Sequence, residues 1–155
     1  MPRVRYSVTI NRPVDKVFQF VTNLENASKW QPDVVQVYHA EESLRIGMII
    51  SQDRSTRLLH WRLDLNADIM EYRPNKLVEY VGALGQFPVR GRLEFDGTTR
   101  ATTVSESLHI RMGIRLAIFA PFMKTVMQRR TRRTLKMLKT VLETESPNPA
   151  IKPVL

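Results

Sequence analysis

The chain has 155 residues, of which 43% are hydrophobic, 25% charged and 8% aromatic, and it carries a net charge of +9. That length suits one domain with its own buried core, and the composition argues against the disordered and membrane-spanning classes. With no cysteine there are no disulfides, thiolate metal sites or cysteine nucleophiles. The N-terminus lacks a signal-peptide pattern and no apolar run reaches the length of a bilayer span, so the expected location is the cytoplasm.

The first element is read from "RVRYSVTIN", where Val4, Tyr6, Val8 and Ile10 alternate with polar residues at the period of a half-buried strand. Asn11 is then a candidate helix cap and Pro13 a first-turn residue, with Val14, Val17, Phe18 and Val21 at helical spacing. A second short helix is predicted to end near Trp30. Strands follow in "VVQVYHAE", in "GMIISQD" and in the long alternating run from Leu58 to Tyr72. After a Pro-Asn turn at "RPNK", three more strands are predicted in "LVEYVGAL", "VRGRLEFDG" and "ATTVSESLHIRM", separated by turns at Pro88 and Asp96-Gly97. The amphipathic stretch "APFMKTVMQRRTRRTLKMLKTVLE" predicts one long helix, about 35 Å at 1.5 Å per residue. The residues from 144 to 155 include a proline-rich "SPNPAIKPVL" and are expected to form a flexible tail.

The expected fold is therefore α+β: a curved antiparallel sheet of about seven strands, two short helices after the first strand, and a long C-terminal helix covering the dry face of the sheet. The charge is localised. Between Arg111 and Lys139 stand nine basic residues and no acidic one, which leaves 15 of each sign in the rest of the chain. Such a field attracts phosphates or anionic headgroups, although a charge run on a helix is more often a solvated face.

The opening "VTINRPVDKVFQFVTNLENASKWQPDVVQV", the hairpin around Gly47, the "EYRPNKLVEY" turn and the terminal amphipathic helix together resemble the START-like, or SRPBCC, superfamily, and within it the polyketide cyclase/dehydrase and lipid transport group. The resemblance covers residues 3 to 143, so 1–143 is expected to be a single START-like domain. It implies a helix-grip fold with a deep pocket between sheet and helix that holds hydrophobic ligands in many members. It says less about chemistry, which resides in sites rather than folds.

Parity suggests which residues would line such a pocket. In "ATTVSESLHIRM", Val104, Leu108, Ile110 and Met112 share one face, and Glu106 falls in the same register. On the terminal helix, Phe119, Met123, Val126, Met127, Thr134, Met137, Leu138 and Val141 gather on one side and most of the basic residues on the other, while Arg130 lies with the apolar set. Buried charges need partners, so Glu106 and Arg130 are expected to approach one another or to meet a polar group of a ligand; the alternative places both heads at the cavity mouth or in solvent. Trp30 and Trp61 join Val104, Leu108, Met123 and Met127 as cavity candidates, with core packing an equally good use of both tryptophans. Tyr6, Tyr38, Tyr80, Phe20 and Phe87 are weaker candidates because their facing is ambiguous.

Catalytic signatures are absent from the sequence. His39, His60 and His109 are scattered, and no metal-binding or nucleotide-binding spacing occurs, so no metal or cofactor is expected. Three functions stay open: binding or carriage of a hydrophobic small molecule or lipid; cyclase or dehydratase chemistry on a polyketide-like substrate, with Glu106 or Arg130 acting on it; and an adaptor role for the basic helix face. For the last, Arg115, Phe119, Phe122, Lys124, Arg129, Arg132 and Arg133 are candidates for contact with anionic membrane, since "GIRLAIFAPFM" is apolar and directly precedes the basic helix. Nucleic acid is disfavoured because no aromatics interleave the basic residues after Phe122. Ligand identity and oligomeric state are left open.

Overall fold

The computed structural model describes residues 3–23, 26–31, 34–40, 43–50, 61–84 and 86–144, with backbone alone for 34–40, 43–50, 61–67, Ser28 and Leu84. Strand β1 (Arg3–Ile10) leads into helices α1 (Val14–Thr22) and α2 (Ala27–Trp30). Strands β2 (Val34–Ala40), β3 (Ser43–Ile50), β4 (Trp61–Arg73), β5 (Leu77–Leu84), β6 (Phe87–Gly97) and β7 (Thr102–Ile110) follow, and then a 3-10 segment (Ile114–Phe119) and the long helix α3 (Ala120–Thr144). The strands form one antiparallel sheet in the order β1-β7-β6-β5-β4-β3-β2. This is the expected α+β architecture, a curved sheet with a long C-terminal helix. His60 and most of the proline-rich tail lie outside the described residues.

Residues paired across neighbouring strands share a face, so the register sorts the sheet into two sides. One row runs Val4, Leu108, Gly91, Tyr80, Ile69; the next runs Tyr6, Glu106, Leu93, Val78, Tyr72; a third runs Val8, Val104, Phe95. This inner face meets α3 through Met127, Thr131, Thr134, Leu135, Leu138 and Leu142, all buried. Ile10, Val104 and Phe95 pack with Leu135, Leu138 and Leu142 and with Val17, Phe18, Val21 and Trp30 from α1 and α2. A second cluster gathers Val4, Val89, Leu108 and Ile110 around Met127 and Ala27. The outer face carries an ionic ladder instead: Arg90 donates to Glu79 at 2.5 Å, and Arg92 and Arg5 reach Glu94 at 3.0 and 3.1 Å.

Several local expectations need correction. Asn11 does not cap α1: Pro13 holds the cap position without a side-chain bond, and the Val14 amide donates to the Thr98 carbonyl at 3.1 Å, so the hairpin between β6 and β7 takes over the capping role. Asn11 instead donates its amide to Glu143 Oε1 at 3.0 Å, while Lys139 Nζ donates to the Thr9 carbonyl at 2.5 Å, tying the end of α3 to the end of β1. Pro88 is not a turn residue; it sits near the start of β6, where its missing amide costs little and its carbonyl accepts from Arg111 at 2.8 Å. The β6–β7 turn lies after Gly97, closed by Thr98 and Ala101 at 2.9 Å. The "RPNK" turn forms with Asn75 in the left-handed region at φ 62°, a conformation asparagine tolerates better than most residues.

The buried face of α3 is also rotated from the predicted one. Leu135 and Leu142 are buried, whereas Phe119 and Met137, placed on the apolar side by the sequence, are exposed. Thr131, Leu135 and Leu142 account for the difference: they are buried although the predicted side omits them, and they move the centre of the buried stripe away from Met137.

Candidate functional site

Among the described residues, the inner face carries a polar cluster built from three elements. Glu106 on β7 occupies an inward register position and is only 6% exposed. Arg130 projects from the half-buried flank of α3, next to the buried Thr131. The third is Tyr80 of β5, whose ring lies across its cross-strand neighbour Gly91: a Cβ on that glycine would stand 2.0 Å from Tyr80 Cζ and 2.3 Å from the hydroxyl oxygen. Glycine at 91 thus lets the phenol cross β6 on its way toward β7.

The electrostatics tie the three together. Burial pushes the Tyr80 phenol above the ordinary tyrosine range, the Glu106 carboxylate pushes it further, and the Arg130 guanidinium pulls part of the way back. Both charges picked out by parity are therefore felt at one hydroxyl. Glu106 and Arg130 also have interactions of their own within the fold. The phenol remains protonated at physiological pH and serves as a hydrogen-bond donor, beside a carboxylate that accepts and a guanidinium that donates. A molecule with an apolar body and a carbonyl, hydroxyl or carboxyl head has complementary groups to offer here.

The other predicted residues are spread more widely. Val104 and Leu108 are buried on the same face of β7 as Glu106, one in each core cluster. Met127 is buried and Met123 packs beside it, together with Tyr80, so the N-terminal half of α3 borders the polar cluster. Trp30 is buried in the core cluster with Phe18, Leu135 and Leu138, and its Nε1 has no hydrogen-bond partner among the described residues. Trp61 pairs with Ile50 at the start of β4, its side chain outside the described residues. The side chain of His39 also lies outside them, and His109 lies on the outer face opposite Arg90. Arg115, Phe119, Phe122, Lys124, Arg129, Arg132 and Arg133 are all exposed.

Sequence reasoning underrated Tyr80 and missed Gly91. "LVEYVGAL" is apolar in both parities, so alternation does not orient its tyrosine, while a glycine inside the strand-like "VRGRLEF" is a recognised sign of a close approach. On the inner side of β4, Ile69 shares the register of Tyr80 yet is 53% exposed, so this part of the sheet is less covered than the part under α3. A separate open cleft of about 490 Å3 lies near the end of β7, lined in part by Phe87, Pro88, Arg111, Met112, Ile114 and Leu116.

Comparison with known proteins agrees with this architecture. No curated protein matches the chain. Among solved structures, a START superfamily protein from Mycobacterium smegmatis superposes with a TM-score of 0.73 at 13% identity, covering 93% of this chain and 99% of its own. A protein from Thermus thermophilus gives 0.72 at 18% identity, covering 94% and 100%. The Zhui aromatase/cyclase from a Streptomyces species gives 0.69 at 13% identity, covering 91% and 93%. At these identities the likeness is one of fold. The sequence profile described as polyketide cyclase / dehydrase and lipid transport matches residues 1–143, and the chain belongs to that family.

Proposed function

We propose that the protein binds a hydrophobic small molecule or lipid between the sheet and α3, with the polar head of the ligand held by Tyr80, Glu106 and Arg130. The observation that carries this reading is the convergence of a buried carboxylate and a helix arginine on one protonated phenol, within a largely apolar face. Polar groups of this kind are costly in a core that needs only to be stable, and they fix orientation and specificity in a ligand site. Thr131 Oγ1, one residue from Arg130 and buried, adds a hydroxyl with no partner among the described residues. The membership of the chain in a family named for lipid transport as well as cyclase and dehydrase activity supports the same ligand class.

The test is native mass spectrometry of the purified protein, followed by organic extraction and binding of the recovered compound to variants. A co-purifying apolar molecule with a polar head, bound at least about tenfold more weakly by Glu106→Gln and by Arg130→Met, is the expected result, since each change removes a charged hydrogen-bond partner. A protein that purifies empty and binds no fatty acid, sterol or polyketide from a panel would overturn the proposal.

A second reading is favoured by the protonated state of Tyr80. A phenol donor beside a carboxylate is an arrangement that polarises a carbonyl while a base removes an adjacent proton, as a cyclase or dehydratase requires. Under that reading Glu106→Gln keeps binding and loses turnover of a polyketone substrate. Equal turnover in the variant and the parent protein would count against it.

A further inference from the structure

The N-terminal end of α3 and the 3-10 segment before it present a surface that the ligand site does not use. Ile114 is 96% exposed, Ile118 81%, Phe119 56% and Phe122 69%, all within one short stretch of chain. Leu116 and Ala120, from the same stretch, are turned into the core and anchor it. Scattered exposed hydrophobics need no explanation, but four large ones this close together do.

Their surroundings point to the occupant. Arg111 and Arg115 precede or interleave these residues in the chain, Arg129 and Arg133 follow them, and all four are exposed. At 100° per residue, Phe122, Arg129, Arg133 and Lys136 fall on one outward stripe of α3, opposite the buried stripe of Thr131, Leu135 and Leu138. No acidic residue occurs between Arg111 and Lys139. Exposed cations grouped with protruding aliphatic and aromatic side chains complement an anionic bilayer, whose phosphates meet the cations while its acyl boundary takes up the apolar tips. A nucleic acid would pair with the cations but leave Ile114, Ile118 and Phe119 in water. No described helix is long and apolar enough to cross a membrane, so the contact is peripheral.

We propose that the 3-10 segment and the first turns of α3 form a docking surface for anionic phospholipid membranes, with Ile114, Ile118, Phe119 and Phe122 inserted and Arg111, Arg115, Arg129 and Arg133 at the headgroups. Arg111 and Ile114 also line the 490 Å3 cleft, so docking seats the mouth of that cleft on the lipid. The surface is separate from the Tyr80 cluster, and its test does not depend on a ligand.

The full chain is to be assayed by flotation with vesicles of phosphatidylcholine alone and of phosphatidylcholine with phosphatidylglycerol, at low and high salt, together with size-exclusion chromatography. The expected result is binding to the anionic vesicles that is weak on the neutral ones and falls as salt rises. Ile118→Ser with Phe122→Ser should weaken it about tenfold or more, through lost apolar insertion. Arg115→Glu with Arg129→Glu should weaken it by a similar or larger factor and flatten the salt dependence. Both pairs are exposed, and an unchanged melting transition establishes that the variants fold. Absence of binding to anionic vesicles would overturn the proposal, as would binding that the serine pair leaves intact, which would assign the contact to charge alone. A wild-type dimer that the serine pair converts to monomer would likewise overturn it, by assigning the apolar patch to a second copy of the chain.

Discussion

At the C-terminal end of α3, Leu135, Leu138 and Leu142 are buried against α1, α2 and the sheet, and Glu143 and Lys139 fasten that end to β1. At the other end Phe119 and Phe122 stand in solvent, although they are as hydrophobic as the leucines. The difference lies in what the rest of the chain places opposite each end. Val17, Phe18, Val21 and Trp30 arrive at the first, whereas at the second Leu116, Ala120, Met123 and Met127 reach the core and Phe119 and Phe122 do not. Apolar character at helical spacing marks what a helix is able to bury, and the neighbouring elements decide what it does bury.

The contrast predicts a large difference in stability. Leu138→Ala should cost about 2–5 kcal/mol in urea unfolding because it empties a fully buried site, whereas Phe122→Ala should stay within about 0.5 kcal/mol. Comparable losses at the two positions would show that the exposed end is packed in solution. Gly91→Ala comes next, at about 1–3 kcal/mol, since the added methyl would occupy the position of the Tyr80 ring. Pairing it with Tyr80→Ala should recover much of that loss, and a double-mutant cycle showing simple additivity would contradict the contact.

A smaller effect is expected at alkaline pH. The folded-state value of Tyr80 lies above its unfolded value, so its contribution to stability is complete below about 10 and declines as pH rises through the higher folded value. Spectrophotometric titration should find one late-ionising phenol that disappears in Tyr80→Phe, and a full set of ordinary tyrosine titrations would place Tyr80 in water. The smallest effect belongs to Glu143, whose carboxyl is held below the usual range by the Asn11 amide and then by Lys139. Its contribution is present above the unfolded glutamate value of about 4.3 and fades as pH falls through the lower folded one. Glu143→Gln should therefore cost roughly a few tenths of a kcal/mol at neutral pH, as this group is largely solvated, and the gap from the parent protein should close in acid.

These sites also mark where the sequence was readable and where it was not. Val4, Tyr6, Val8 and Ile10 alternate cleanly, and β1 follows from them; the strands and long helix fall in their expected order for the same reason. Glu106 is visible as an inward carboxylate because its apolar neighbours all share one parity. Tyr80 is not visible that way, since Leu77 and Val78 are both buried although they point to opposite faces, and a strand covered on both sides gives parity nothing to sort. The phase of α3 misled for a related reason: Thr131 belongs to the buried stripe but counts as polar in a hydrophobic pattern. The capping of α1 by Thr98 is a tertiary contact across most of the chain, beyond the reach of any local cue.

The strand order has a consequence for how the chain reaches this structure. Of the seven strands β1 is synthesised before the others, yet its partner in the sheet is β7, and Ser7 bonds to Ser105 at a separation of 98 residues. Until β7 and α3 exist, Val4 and Ile10 have no ladder to join and no core to enter. Closing so long a loop is entropically slow, and topologies rich in distant pairings fold later than local hairpins. The meander from β2 to β7 is able to assemble as successive neighbours, so the earliest strand to be synthesised is among the last to dock.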